Sequence, residues 1–593
     1  MKQHLKKYSI LFLLSYFLLI GCNDAAFLRE DPETFYTIDN IFHTSEQVQQ
    51  VITTCYHRVR NIYCPFNNNA MLNVWSYRMG NGTDVFDVPT IRYDYRFNDY
   101  SILSSQSSVY YSVYSEFYYL IMSANTALYA AEKSDIVWDS PEVKAKTIAE
   151  ARFFRAFAYR NLGELFGGVP IVTEMAKTPR YDYERATRLE TYQFAIDEIE
   201  AILNDLPVTT SVAGKLVRGV AQHNLCQLYI DKGVVLEEDG GDAAAAYAKA
   251  ITYANDVIDS GTYHLMTERF GSRKNENPDY YFATSSSMQT DNTLYSSLGY
   301  NAEGNVYWDL FQEGNQDYQQ GNREAIWVAQ SDYELSKEEG EKLSLMYPGI
   351  YGPVFRDQGV HILGNMEDVG GLGMCQVTPT FYTRDDVYSN KWAHDMRNSE
   401  SVFRRIFYGN VPNSEYYGKA IPWDVLYRKK DGAYTDAPAT LLYPISCKIA
   451  TDKFTGIDDG ENMTRLFRGD YLLRLPETIL LRAEAKWRTN DNAGAASDIN
   501  QLRSRAKCSY LVTTEDVSLE LILDERTREL VYEESRWNTL LRMGGNVATE
   551  RIKKYAYWDY PRKTLTKEFN LWPIPQTVID TNKDVKLEQN KGW

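Results

Sequence analysis

Apolar residues recur at helical spacing through most of the first 260 residues and again after residue 469, and the rhythm lapses in between. The clearest stretch, Asp470 to Gly545, predicts three consecutive helices. Tyr471 to Leu475 lead into the first, whose Ile479, Leu480, Ala483 and Trp487 share a face while Arg482, Glu484 and Lys486 lie on others. Asn490-Asp491-Asn492 closes it and offers a cap to the second. There Ala495, Ala496, Ile499, Leu502 and Ala506 form a stripe small enough for a neighbouring backbone to approach closely. The third starts at Ser518 and turns Leu519, Ile522, Leu523, Leu530, Trp537 and Leu541 inward. Glu525, Arg526, Arg528, Glu529, Glu533 and Arg536 run along it as a charge ladder, read as helix-supporting pairs rather than as chemistry.

The same period appears earlier. Helices are predicted from Thr44 through Val59, from Tyr110 to Glu132, and from Lys144 to Leu165, where Gly167-Gly168-Val169-Pro170 forces a stop. Thr191 to Leu206, Val217 to Gly233 and Ala243 to Ser260 follow, the last with Ala246, Ala250, Ala254 and Ile258 in a small-residue stripe. Helix pairs with alanine at the contact, short turns and a recurrence of roughly 34 residues resemble tetratricopeptide-like repeats, though no copy matches the full consensus. From about Met266 to Arg468, Gly, Asn, Asp, Tyr, Trp and Pro alternate without period. So long a segment must contain short helices and strands of its own, and irregular segments on a rigid support are where binding residues gather. The fold class is therefore mainly α, with a large irregular excursion. Trp75 to Asp87, with glycines and acids among aromatics, reads as a surface loop. The tail from Leu571 is expected to be extended and tied back by its aromatics.

Address and charge narrow the picture. Lys2, Lys6 and Lys7 precede an apolar run from Tyr8 to Ile20, with no acid before Asp24, as in a secretory signal. Leu19-Ile20-Gly21-Cys22 resembles a bacterial lipobox, with Cys22 as the lipidated first residue of the mature chain. The whole chain carries a net charge of −17, and loss of residues 1–21 with their three lysines leaves about −20. Such a surface is a poor match for phosphate backbones, so nucleic acid is not an expected partner. The remaining cysteines form no C-x-x-C pair and the histidines show no metal spacing; Cys55 and Cys64 are close enough in sequence to bridge outside the cytoplasm.

No catalytic signature is present: neither G-x-S-x-G, nor a phosphate-binding glycine loop, nor H-E-x-x-H. Paired carboxylates of a glycosidase leave no local signature, so a lipid-anchored hydrolase stays open at this point. Asp458-Asp459-Gly460-Glu461-Asn462 lacks the alternating spacing of a calcium loop and reads as a solvated turn. Neither metal nor cofactor is expected. The 46 tyrosines and 11 tryptophans instead suit stacking on sugar rings or peptides. Trp75, Tyr77, Asn81 and Asp84 supply aromatic platforms with amide and acid partners in one stretch, and Tyr295, Tyr300, Trp308 and Trp327 supply aromatics near the excursion's start. These eight are the candidate ligand contacts.

Five separated motifs give the chain a resemblance to the SusD-like (RagB/SusD) nutrient-uptake lipoproteins of Bacteroidetes outer membranes. They are the lipobox at Cys22 with Phe27-Leu28 and Pro32; Glu150 to Ala156 running to Leu165 through Pro170; and Gly214-Lys215 to Tyr229 with Ser260 to Tyr263. The fourth joins Arg482 to Ala485, Asp498 to Asn500 and Glu525-Arg526 to Arg542, and the fifth joins Trp572 to Pro575, Gln589-Asn590 and Gly592. The chain departs from the family pattern at Ser535, Asn538 and Lys591. The resemblance implies a scaffold of four tetratricopeptide-like units (about four helix pairs), a lipid anchor facing the cell exterior, a SusC-like TonB-dependent transporter as partner, and a glycan ligand, or in some relatives a peptide, without catalysis. The expected parts are a signal peptide (1–21), a lipidated tether (22–43), an N-terminal scaffold (44–265), a ligand-binding excursion (266–468), and C-terminal helices with a tail (469–593) that close the scaffold.

Overall fold

The computed structural model describes residues 41–63, 74, 77–78, 80–87, 97, 99–175, 177–277, 303–332, 334, 378–406, 409, 414–422, 445–449, 467–566 and 569–593, with short strand segments between 355 and 466. The lipobox, Trp75, Cys64, Tyr295, Tyr300 and the acidic turn at 458–462 lie outside the described residues.

The predicted helices are present. They are α1 (Ser45–Tyr63), α2 (Ser108–Ala131), α3 (Pro141–Phe166), α4 (Arg188–Glu200), α5 (Arg218–Glu238) and α6 (Ala244–Ile258). Local chemistry sets their ends. Ser140 accepts from Val143 N and Pro141 opens α3, while Thr187 and Glu190 form a capping box on α4. Each helix packs on the next in sequence order, and α6 packs on α7 (Leu475–Arg488), which in turn pairs with α8 (Asn492–Arg505). The scaffold is therefore continuous across the gap from residue 258 to residue 475, and the fold is mainly α with the tetratricopeptide-like pairing expected. Gly233 shows how close the pairs come: a Cβ there would stand 2.4 Å from Tyr247 Cε1.

Two elements differ from the expectation. Tyr471 to Arg474 belong to a strand rather than to a helical lead-in. With β1 (Phe86–Asp87), β2 (Ala325–Ala329) and β3 (Thr378–Pro379) named in chain order, this is β4 (Asp470–Arg474), antiparallel to β2 with Asp470 opposite Ala329. Tertiary pairing overrides the local pattern here, and Pro476 delays the helix start to Leu475. The single third helix is two, α9 (Leu519–Leu530) and α10 (Arg536–Arg542). Tyr532 takes a left-handed φ of 69° between them. The carbonyls at this break are taken by basic side chains: Lys448 Nζ donates to Glu529 O at 2.6 Å, and Arg78 donates to Glu533 O and Glu534 O.

The tail is tied back by its aromatics. Trp572 is fully buried, with the rings of Tyr77, Phe97, Tyr110, Phe166 and Trp537 at centroid distances of 5.2–5.7 Å. Its backbone N–H donates to Leu165 O at 2.7 Å, and Asn590 Nδ2 donates to both Phe166 O and Trp572 O.

Candidate functional site

The stretch expected as a surface loop is not at the surface. Tyr77, Asn81 and Asp84 are each at most 1% exposed. Tyr77 donates to Asn538 Oδ1 at 2.7 Å, and Trp537 Nε1 donates to Asn81 O at 3.1 Å. Asp84 sits between two guanidinium groups, with Arg536 at 2.7 Å and Arg551 at 2.9 Å. Burial opposes its ionisation, but the two arginines overcome that and hold its carboxyl down at about 2. Glycine makes the close approach possible: Gly82 has φ +79°, and a Cβ there would stand 2.3 Å from Phe97 Cβ. The loop is thus folded under the C-terminal helices, where its acid, the Tyr77 hydroxyl and the Asn81 backbone carbonyl find partners that water would otherwise supply.

Trp308 and Trp327 are buried as well. Trp327 stands among Phe153, Phe154 and Phe157 and donates to Gly214 O at 3.0 Å. Trp308 packs in a smaller core beside Phe270 and Leu310, with Arg269 and Arg273 over its ring. The five described candidates therefore form walls of the support. They are not brought to one cleft, and none presents a stacking face to solvent.

The charge ladder is likewise interior. Glu525, Arg526, Arg528, Glu529, Glu533 and Arg536 are all buried, and only Arg528 with Glu525 is a pair within the helix. Glu534 in the break pairs with Arg526 and Arg536, and the remaining partners come from distant elements. Glu529 accepts from Arg474 at 2.9 Å, Arg505 at 2.5 Å, Arg397 at 3.0 Å and Tyr307 Oη at 3.0 Å. Glu533 is held by Arg474 and by Lys448 at 2.6 Å, and Glu525 by Arg397, Arg503 and Arg528. Glu324, on the approach to β2, shares Arg474 and Arg505 with Glu529. Burial works against Glu525, Glu529 and Glu533, and the surrounding guanidinium groups, with the Lys448 ammonium at Glu533, reverse it: Glu525 is lowered to about 2, and Glu529 and Glu533 are lowered also.

This constellation joins the excursion to the scaffold. Arg397, Lys448 and Glu324 come from the excursion, Arg474 from the strand by which it returns, Arg505 from α8, Glu525 and Glu529 from α9, and Glu533 from the break after it. Chemically the site is quiescent. Carboxylates this strongly held are ionised at neutral pH and saturated with donors, the reverse of a raised general acid. Glu324, Asp395, Arg397 and Arg505 carry no local sequence signal, since partners such as Arg474 and Glu324 are 150 residues apart. Among the described residues no group of three or more His, Cys, Asp and Glu could hold a metal ion. Cys55 is a buried free thiol on α1, pushed up to about 12 by burial.

Comparison with known proteins gives the same architecture. A family model described as the SusD family matches residues 281–593, and one described as "Starch-binding associating with outer membrane" matches residues 35–214. The starch-binding protein SusD of Bacteroides thetaiotaomicron is 31% identical over 162 residues, which cover 25% of this chain and 28% of that relative. The crystal structure of a SusD homologue from the same species superimposes with a TM-score of 0.63 at 17% identity, covering 95% of this chain and 100% of the other. A structure solved with xylogluco-oligosaccharide superimposes with a TM-score of 0.59 at 17% identity, covering 91% of this chain and 98% of the other.

Proposed function

The chain belongs to the SusD family, and from that premise we propose that it is a lipid-anchored surface protein that captures glycan for a SusC-like TonB-dependent transporter without catalysing a reaction. The observation that carries this reading is the family match over residues 281–593, supported by the outer-membrane, starch-binding description matched over 35–214. The quiescent ion network agrees with a binding role. It fastens the excursion to the helices and offers no carboxyl with a raised affinity for protons to act as an acid.

Ligand contact is assigned to the excursion, 266–468, where Tyr295 and Tyr300 remain the candidate platforms, together with Trp75. No helix among the described residues is long and apolar enough to cross a membrane. The anchor in this reading is the lipid on Cys22, which rests on the lipobox at Leu19-Ile20-Gly21-Cys22. Two chains or more on that cysteine give stable attachment.

The test is binding by the purified ectodomain to a panel of soluble glycans and peptides, followed by calorimetry on whichever is retained. Retention of a polysaccharide with no release of reducing sugar is expected. Retention of peptides alone, or steady release of reducing sugar, overturns the reading. Co-purification of a TonB-dependent transporter from native outer membranes tests the partner separately.

A further inference from the structure

An open cleft lies on the helical scaffold, and no residue lining it belongs to 266–468. It runs between α2, the segment 170–183 and the C-terminal turn Gln576–Thr581, with a volume of about 380 Å³. That is the size of a small-ligand site. Its floor is a single helical stripe: Tyr111, Tyr114, Tyr118 and Met122 follow one another at intervals of three and four on α2. Tyr111 and Tyr119 are 44% and 43% exposed and Met122 is 50% exposed. Large apolar surface left open in one place marks a contact site.

The walls are fixed in advance. Tyr118 Oη donates to Pro170 O at 2.7 Å, and its ring stacks on Tyr114 at 4.7 Å. Asn125 Nδ2 donates to Val172 O at 2.9 Å while Arg155 holds its Oδ1 at 2.8 Å. On the opposite side Asn582 accepts from Tyr183 N at 2.9 Å and donates to Tyr183 O at 2.8 Å. A cleft held in this way loses little freedom when it is filled.

The lining also selects the ligand. The open rings of Tyr111 and Tyr119 lie beside Met122, bordered by Thr577, Thr581 and Glu174, with Arg180 over the Tyr183 ring at 5.0 Å and Arg58 over the Tyr119 ring at 5.0 Å. A hydrocarbon would desolvate those hydroxyls without pairing them. A phosphate would meet one lining arginine, already paired to Asp182 at 3.0 Å. A pyranose has a C–H face for the rings and a rim of hydroxyls for the polar border. At 1.5 Å per residue, Tyr111 and Tyr119 stand about 12 Å apart along the helix axis, more than one sugar ring spans.

We propose that this cleft is a second carbohydrate-binding site, taking a neutral oligosaccharide of at least two rings along α2. It rests on the glycan-binding reading above and adds a point of contact remote in sequence from the excursion. Two such contacts on one polymer strengthen attachment without either being tight.

The experiment is calorimetric titration of the intact ectodomain with maltoheptaose and with xyloglucan oligosaccharide, beside hydrogen exchange of the same complexes. The expected results are two sites per chain for a sugar that binds, protection of residues 108–125 and 576–587, and one site in the Tyr111→Ala/Tyr119→Ala variant. Both substitutions are at exposed positions, and unchanged circular dichroism confirms the fold. Binding whose stoichiometry and protection pattern the variant leaves unchanged overturns the cleft and leaves the glycan reading intact. Failure of both sugars to bind at millimolar concentration overturns the cleft as assigned, while retention of another polysaccharide on the panel keeps the glycan reading separate.

Discussion

Helices α9 and α2 invert what their sequences suggest. Helix α9 carries Glu520, Asp524, Glu525, Arg526, Arg528 and Glu529 among its 12 residues, yet from Leu521 to Leu530 only Asp524 is not buried. Helix α2 has Glu116 as its single charge, yet leaves Tyr111, Tyr119 and Met122 open. The difference lies in what covers each helix. The excursion and β4 bring arginines onto α9, so its charges are paired inside the protein. On α2 Tyr114 is buried against Phe166 and Arg58 lies over the Tyr119 ring at 5.0 Å, but Tyr111, Met122 and much of Tyr119 stay open. Charge alone therefore does not mark a solvent face, and aromatic content alone does not mark a core.

The largest effect is expected at the centre of the α9 network. Glu529→Gln, which leaves Arg474, Arg505 and Arg397 facing a neutral amide, is expected to destabilise the ectodomain by about 3–5 kcal/mol. Chemical denaturation measures this, and a loss below 1 kcal/mol would show that the network contributes little. Acid should reach the same groups together. Glu525 and Asp84 titrate in the folded protein at about 2, below their ordinary values of 4.5 and 3.8. A lowered folded pKa gives stability that is complete above about pH 5 and is lost as pH falls toward 2, on the order of 2–3 kcal/mol per carboxylate. A melting temperature flat from pH 5 to pH 2.5 would contradict this.

A carboxyl outside that network has the opposite sign. Asp231 on α5 is fully enclosed, and burial, reinforced by Glu164, raises its pKa well above 3.8 despite Arg542 at 3.7 Å. Its folded form keeps a proton that the unfolded chain releases, so it weakens the fold as pH rises above about 4. Asp231→Asn is expected to raise the melting temperature at pH 7 and to leave it unchanged at pH 3; a fall at pH 7 would mean the ionised form is the stabilising one. The smallest effect belongs to α2, where Tyr111→Ala should change stability by less than about 0.5 kcal/mol. A larger loss would place Tyr111 in the packing rather than in an open cleft.

The sequence by itself determined the helices, their order and the closure of the scaffold, because periodicity and caps act over a few residues. Ser140 with Pro141, the alanines of α6 and the aromatic tail around Trp572 are read in this way. Family membership was legible for a related reason, since its motifs lie on these same elements. Only the tertiary structure decided that Tyr471 to Arg474 form a strand, that α9 and α10 separate at Tyr532, and that Tyr77, Asn81 and Asp84 are interior. Each of those outcomes depends on a partner far along the chain: Ala325 to Ala329 for the strand, Lys448 and Arg78 for the break, Arg536, Asn538 and Arg551 for the loop. A local pattern holds no information about which distant side chain will satisfy a buried charge or amide, and that satisfaction fixes where these residues lie.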